Sequence, residues 1–500
     1  MRVACLLFGL FISLCFAEET SFTIGTKFAF GLYGGGVAQD FAADTADRYG
    51  VNANWRGLQI PLETARNYEN IDPFFTLYLG GQYRDLKVWF NCPLRKDLEA
   101  WYEDDTHSNT TLEPSHLDIN VPTEAYAEWT YGVGVFKIGR FKPDLGPSSN
   151  TLVLGGAPYH DAILWSFHPS IFRYDFFLSS LNAHLHGTPA TVGATVTDTT
   201  TEVWQQAHNQ VDNQRNRSYT EAYKTLVYHR LGVDLGFAWL YVIEQSVIGG
   251  KQVEFRTMNP FMFWHDNYAS GYTKANFTFE LGLRPITGSS FYWQMGIDDL
   301  KSPVGETDEN STRSILSFLV GYQQEIPTEK WGVFTTRLDV VYTDPAYGNE
   351  RLPLLKYTSR RMYRSNYRNQ DDEDFADMFY VDYPLGYRRG PDAIDLWFDL
   401  DWKRKNHAAK LEFAWLRQGD KELYDDYDEA VQCSSPLSGI VETQYVVDLV
   451  YRWQALERLE LHLGGGGRLY ENLDHEKGED GADFWLKTGV TWDISYTKKL

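Results

Sequence analysis

The densest concentration of chemically capable side chains lies between residues 343 and 393. Arg360, Arg361, Arg364 and Arg368 fall close together there, with Tyr357, Tyr363 and Tyr367 among them. An acidic run, Asp371-Asp372-Glu373-Asp374, follows, and then Tyr387, Arg388 and Arg389. A guanidinium is a rigid fork of donors that meets a carboxylate or phosphate with two parallel hydrogen bonds. A tyrosine ring adds a flat apolar face with a hydroxyl at its edge. Interleaved, the two suit an acidic polysaccharide or a lipopolysaccharide head group. Arg360, Arg361, Arg364, Arg388 and Arg389 would be the cationic donors, with Tyr363 and Tyr387 as stacking faces. The same residues fit a second arrangement, in which the arginines neutralise the neighbouring acidic run and the segment folds on itself as a plug.

Other chemistry is poorly provided for. The chain has no G-x-S-x-G elbow, no H-E-x-x-H, no phosphate loop and no dinucleotide fingerprint. With 68 acidic residues, no carboxylate pair singles itself out for glycoside hydrolysis. His160, His168, His184 and His186 cluster loosely. On a strand, His184 and His186 would share one face and could hold a metal, but no third ligand is signalled, so a polar loop edge is the simpler reading. No enzyme activity, metal or cofactor is expected.

The elements that must position these groups are strands. Ile394, Leu396, Phe398, Leu400 and Trp402 alternate with Asp395, Asp399 and Asp401. Ala275, Phe277, Phe279, Leu281 and Leu283 alternate with Asn276, Thr278 and Glu280, and Leu411, Phe413 and Trp415 with Lys410 and Glu412. The last such segment, Phe484, Leu486, Val490, Trp492, Ile494 and Tyr496, is the longest. Successive strand residues point to opposite faces, so each segment has one apolar and one polar side. The segments often reach about ten residues, the length of a tilted membrane-spanning strand. They recur over nearly the whole chain without helical periodicity, and the last runs almost to the C-terminus. The expectation is an all-β, transmembrane antiparallel barrel of roughly 16–20 strands with a loop or plug segment; the family resemblance given below is what favours 18. Residues 186–218 and 343–393 interrupt the pattern and are placed outside the cell or folded into the mouth.

Composition agrees with an envelope protein. The aromatic fraction is 16%, with 16 Trp and 32 Tyr, which suits aromatic girdles at two membrane interfaces. A mean hydropathy of −0.41 is wrong for a helical membrane protein but right for a barrel, which shows lipid only every second residue. A net charge of −22 argues against nucleic acid as a partner. Arg2, the apolar run Val3–Phe16 and small Ala17 ahead of Glu18 and Glu19 read as a signal peptide over 1–17. A lipoprotein, with Cys15 as first mature residue, is the lesser alternative because Leu14 is large. Residues 18–500 are then read as one barrel domain, located in a bacterial outer membrane after export. Cys92 and Cys433 remain, either as a pair or as isolated thiols.

Three stretches resemble the Wzi family of outer-membrane barrels, which act in capsule assembly. One is Gly139-Arg140, followed by Gly146-Pro147-Ser148 and Asn150–Leu154. The second is Met258-Asn259-Pro260-Phe261, downstream of Glu244. The third is Pro384-Leu385-Gly386-Tyr387 with Gly390-Pro391-Asp392. The resemblance implies a barrel of about eighteen strands that attaches or organises surface polysaccharide, as a lectin does, among outer-membrane lipid and lipopolysaccharide. Read from residues alone, the same glycines and prolines mark tight turns and strand ends. Two alternatives stay open. A porin or transporter would use Glu280, Asp395, Asp399 and Asp401 as a cation-preferring lumen lining. A secreted soluble β-rich protein acting on carbohydrate would turn its apolar faces inward.

Overall fold

The computed structural model describes residues 20–35, 58–59, 62–103, 108–118, 120, 122–181, 224–249, 255, 258–262, 273–300, 313–350, 355–364, 378–423, 425–433 and 436–499. The proposed signal peptide and residues 186–218 lie outside them. The wall begins with β1 (Thr20–Gly35), and continues after a short β2 (Leu58–Gln59) with β3 (Phe75–Tyr83), β4 (Leu86–Leu94), β5 (Glu124–Tyr131), β6 (Gly134–Phe141), β7 (His160–Phe167) and β8 (Phe172–Leu181). Then follow β9 (Lys224–Asp234), β10 (Ala238–Gly249), β11 (Thr273–Leu283), β12 (Ser289–Asp299), β13 (Ile315–Thr328) and β14 (Gly332–Thr343). After β15 (Thr358–Arg364) and β16 (Met378–Pro384), the wall resumes with β17 (Ala393–Arg404), β18 (His407–Gln418), β19 (Glu442–Leu456), β20 (Leu459–Glu471) and β21 (Gly481–Lys499).

Eighteen of these strands form one antiparallel sheet. The sheet closes because β1 pairs with β21, from Ser21 opposite Lys499 to Gly35 opposite Trp485, and with β3 on its other side. Closure leaves no edge, which a bilayer demands because its interior offers no water to an unpaired amide. The chain after Tyr496 is part of this seam, since Thr497 faces Thr23 and Lys498 faces Phe22.

Side-chain alternation turns the apolar faces outward. On β17, Ile394, Leu396, Phe398 and Leu400 lie on the side opposite the buried Asp395, Trp397 and Asp399. On β21, Phe484, Leu486, Val490, Trp492 and Tyr496 are all exposed, as are Phe28, Phe30 and Leu32 on β1. A water-soluble sandwich would hide these residues, so the soluble alternative fails on the direction of its greasy face.

Short turns such as 84–85, 132–133, 405–406 and 457–458 lie at one end of the barrel, with the Ser21–Lys499 end of the seam. The long connections lie at the other, the end that faces the exterior in bacterial barrels. Several fold back into the lumen. The helix α1 (Leu62–Glu69) comes from the β1–β3 connection, α2 (Leu98–Glu103) from the β4–β5 connection, and α3 (Tyr427–Gln432) from the β18–β19 connection. β15 and β16 form an antiparallel hairpin, and β2 adds in parallel to β16. Leu145, Leu152, Val153, Leu154, Tyr357, Leu385 and Tyr387 from the β6–β7 and β14–β17 connections pack on inward wall residues including Phe177, Tyr228, Ile243, Tyr292, Leu319 and Val341. This is a conventional apolar core built inside a barrel.

The outward pattern predicts asymmetric tolerance. Leu338, exposed near the middle of β14, should cost about 2–4 kcal/mol when changed to Arg if it lies at the bilayer midplane. Urea titration of the barrel folded into lipid vesicles measures this.

Candidate functional site

The inward face of the wall is polar and tied to the plug by side-chain hydrogen bonds. Asn150 Nδ2 donates to Asp339 at 2.9 Å, and Leu152 N to Gln294 Oε1 at 2.8 Å. Gln294 Nε2 donates in turn to Glu280, which also accepts from Trp239 Nε1 at 2.7 Å. Lys224 Nζ on β9 donates to the Lys356 carbonyl at 2.6 Å, and Lys274 Nζ on β11 to that of Asn349 at 2.6 Å. Buried polar groups without partners are costly, so these bonds fix the plug in one position.

Most of the residues singled out in the sequence belong to this plug. Arg360 and Asp382 face each other across the β15–β16 hairpin and form a buried bidentate pair, at 3.0 and 2.8 Å. The partner of Arg360 is therefore an acid opposite it in the ladder, while the run 371–374 lies outside the described residues. Arg361 is buried, with its guanidinium carbon 3.2 Å from the Tyr159 ring centroid and a hydrogen bond to the Tyr159 carbonyl. Tyr363 and Tyr383 both donate to Glu69 Oε1 at 2.6 Å. Tyr387 donates to Asp395 at 2.6 Å and accepts from Trp397 Nε1 at 2.8 Å. Arg389 lies 3.1 Å from Asp395 and 3.3 Å from Glu63. The side chain of Arg364 lies outside the described residues, as do His184 and His186. His160 is buried in the lumen against Ser179 and Phe177.

The inward acids Glu280, Asp395 and Asp399 are buried; Asp401 is partly so. Asp399 lies 3.8 Å from Arg337 and 4.0 Å from Lys410.

The remaining motif positions do structural work. Gly139 takes φ +128 with its α-carbon against the β5 backbone, where a Cβ would lie 2.2 Å from the Ala125 carbonyl oxygen. Arg140 beside it makes a bidentate pair with Asp161 at 2.8 Å, on the outward face. Gly146 and Pro147 open the inward-folded part of the β6–β7 connection. Gly390 turns at φ +87, Pro391 accepts from Gln418, and Asp392 accepts from the backbone of Lys421 and Ser438, binding the β18–β19 connection to the plug. Asn259 and Pro260 form a turn on the outside of the wall. Tyr174 donates to the Pro260 carbonyl, and Phe261 stacks on Tyr174 with ring centroids 6.4 Å apart. Cys92 and Cys433 are free thiols.

Between α1 and the wall from β17 to β21 lies a cavity of about 260 Å3. Trp397, Trp485 and Tyr33 supply aromatic surface, and Asn67, Asn70 and Gln444 supply amides. Arg66, Arg388, Arg389, Arg468 and Lys487 face Glu63, Glu412, Asp448 and Asp483 across it. Glu63 bridges Arg389 and Arg468, the latter at 3.0 Å, and Asp448 holds Lys487 and Trp485 Nε1 at 2.8 and 2.7 Å. The indole of Trp485 has room because β20 carries glycines at 464–467; a Cβ on Gly466 would lie 2.6 Å from that ring. Arg388 and Arg389, which the sequence singles out, line this cavity; Arg66, Arg468 and the two tryptophans line it too, but the sequence does not single them out. The glycine run was the available signal, since glycine within a strand marks a close approach.

A closed barrel with an exposed apolar wall, a polar lumen and an inward-folded plug defines the class: an outer-membrane β-barrel. In fold the chain is similar to Wzi from Escherichia coli, an outer-membrane protein involved in group 1 capsule assembly and described as a carbohydrate-binding β-barrel, with 12% identity and a TM-score of 0.48 over 98% of this chain and 87% of that one. It is also similar to OccAB4 of Acinetobacter baumannii, with 8% identity and a TM-score of 0.40 over 96% and 99% of the two chains. OpdK of Pseudomonas aeruginosa matches with 9% identity and a TM-score of 0.40 over 96% and 100%. No family model matches the chain, and no curated protein matches it.

Two outcomes follow for the plug. Arg360→Met leaves Asp382 as a buried charge without its main partner and should cost about 3–5 kcal/mol, while Arg360→Met with Asp382→Leu should recover most of it; denaturant midpoints of the two variants decide. Burial first, and then the nearby Glu69 carboxylate, hold Tyr363 and Tyr383 well above the usual tyrosine range, with the Tyr383 phenol adding to the rise at Tyr363. A raised folded pKa stabilises while the group is protonated, fully below the unfolded value of about 10, and the stabilisation is lost as pH climbs above it. Stability should therefore fall from pH 10 upward. The double change Tyr363→Phe with Tyr383→Phe should flatten that fall, as read by denaturant midpoints between pH 8 and pH 12.

Proposed function

We propose that this protein is a plugged outer-membrane barrel that binds a saccharide of the cell envelope in the cavity between α1 and the wall, and that it is not a free-running channel. The observation that carries this is the company the cavity keeps. Indole faces at Trp397 and Trp485 stand beside amides and forked guanidinium donors in a space of about 260 Å3. Flat apolar faces with a few convergent polar groups are what a sugar ring requires, since its two faces are apolar and its rim is all hydroxyl.

The porin alternative rests on four inward acids, and the two most deeply tied of them have other duties. Glu280 and Asp395 are held by Trp239, Gln294, Tyr387 and Arg389, so they anchor the plug rather than line an open path. The partners of this reading are outer-membrane lipid around the wall and an envelope polysaccharide, or the sugars of lipopolysaccharide, at the loop-bearing end. A single barrel domain exported by its leader into the outer membrane, with no catalytic role, belongs to the same proposal.

Planar-bilayer recording separates binder from channel. The purified barrel should pass little steady current at any salt concentration. Sustained open steps with cation preference would restore the porin. Deletion of 355–384, which removes the inner hairpin, should open a conducting path if the rest of the barrel folds, as judged by a heat-dependent shift on gels.

A further inference from the structure

Two arginines facing the cavity are in ion-pair contact with no acid among the described residues. Arg388 lies over the indole of Trp397, with its guanidinium carbon 4.1 Å from the ring centroid. The Arg388 carbonyl accepts a hydrogen bond from the Arg66 guanidinium, so the two residues stand side by side where α1 meets the plug. Both line the cavity. Among the described residues, neither is in ion-pair contact with a carboxylate. The acids nearby are engaged elsewhere: Glu63 with Arg389 and Arg468, and Glu69 with Tyr363 and Tyr383. Adjacent cations in a partly dehydrated space repel each other. Arg66 registers this directly, because burial and then Arg388 push its pKa down to about 10. The Nε of Arg388 is buried and makes no hydrogen bond.

We infer that Arg66 and Arg388 form a carboxylate-binding site in the lumenal cavity, with Trp397 as the platform behind Arg388. A carboxylate supplies one negative charge and two acceptor oxygens, which matches two guanidinium forks that hold no carboxylate in direct ion-pair contact among the described residues. A dianionic phosphate fits less well, because Glu63, Glu412, Asp448 and Asp483 line the same cavity. Size narrows the ligand further. At about 260 Å3 the cavity falls just below the roughly 300–1,000 Å3 of pockets that enclose drug-sized molecules. It takes a single ring and its substituents rather than a run of polymer. The inference rests on the saccharide reading for the source of the carboxylate, which would be an acidic sugar; a free small organic acid carries the same group.

The test uses the full-length barrel in detergent and three probes: glucuronate, glucose and acetate. Calorimetry, with quenching of tryptophan fluorescence as a second readout, gives the affinities. Glucuronate should bind at least about tenfold more tightly than glucose, as one charge-assisted bidentate contact allows. That gap should vanish in Arg388→Gln and in Arg66→Gln. Arg388→Lys keeps the charge without the fork; it should retain part of the gap and replaces the glutamine variant if that one does not fold. The outward Arg140→Gln should leave the gap intact. Equal binding of glucose and glucuronate by the parent protein overturns the carboxylate site and leaves the saccharide reading standing, as does a gap that survives both glutamine variants. Acetate binding that needs Arg388, with no added affinity for either sugar, keeps the carboxylate site, makes a free acid its ligand and removes the saccharide reading. Binding of none of the three overturns both.

Discussion

Everything in this molecule follows from the seam between β1 and β21. Hydrocarbon cannot solvate an amide, so a sheet that enters a bilayer must return to its own first strand. Fifteen register positions, from Ser21–Lys499 to Gly35–Trp485, complete that return. Once the ring is shut, alternation divides every strand between two solvents. The outer half of the residues must be greasy, and the inner half is free to carry charge. A chain with net charge −22 can therefore be a membrane protein, because its acids face the lumen, the loops or the turns.

Acids buried in the lumen need cations, and the wall and the plug both supply them. Arg360 meets Asp382 within the hairpin, Arg389 meets Asp395, and Arg313 meets Asp344. Buried pairs of this kind contribute little net stability, because each ion must first leave water. Their value lies in position: a plug displaced by one residue would strand several charges at once. Apolar packing around Leu152, Tyr357 and Leu385 does the stabilising, and the charges set the register. Arg361 and Lys224 make do with carbonyl oxygens of the plug and its surroundings, whereas Arg66 and Arg388 stand side by side on an open cavity.

The wall was legible in the sequence because a period of two is a local property. The alternations at 394–402 and 484–496 point as their residue types require, and counting such segments brackets the number of strands at roughly 16–20, a range that holds the eighteen observed. Partners across the lumen were not legible. The acid opposite Arg360 is set by the register of a hairpin, which brings Asp382 alongside it and depends on a turn that composition does not determine. Arg66 sits in a helix of eight residues, too short for helical periodicity to announce it. The turn at Asn259–Phe261 was readable as a turn, but nothing local could say that it would lie on the outside of the wall against Tyr174 rather than in the mouth. Gly390 and Asp392 behaved as their types suggest, one turning at positive φ and the other collecting backbone amides, and only the fold reveals which loops they join.

The wall is also of unequal height. β5, β6 and β7 have eight residues each, while β21 has nineteen. At about 3.4 Å per residue and a tilt of about 40°, these rise roughly 20 Å and 50 Å along the membrane normal. The apolar band of an outer-membrane barrel is about 25 Å tall. Lipid beside β5–β7 must therefore thin to meet its strands, whereas lipid beside β21 need not, and the surrounding leaflets are pinched on one flank only. Such a barrel imposes a direction on the membrane around it.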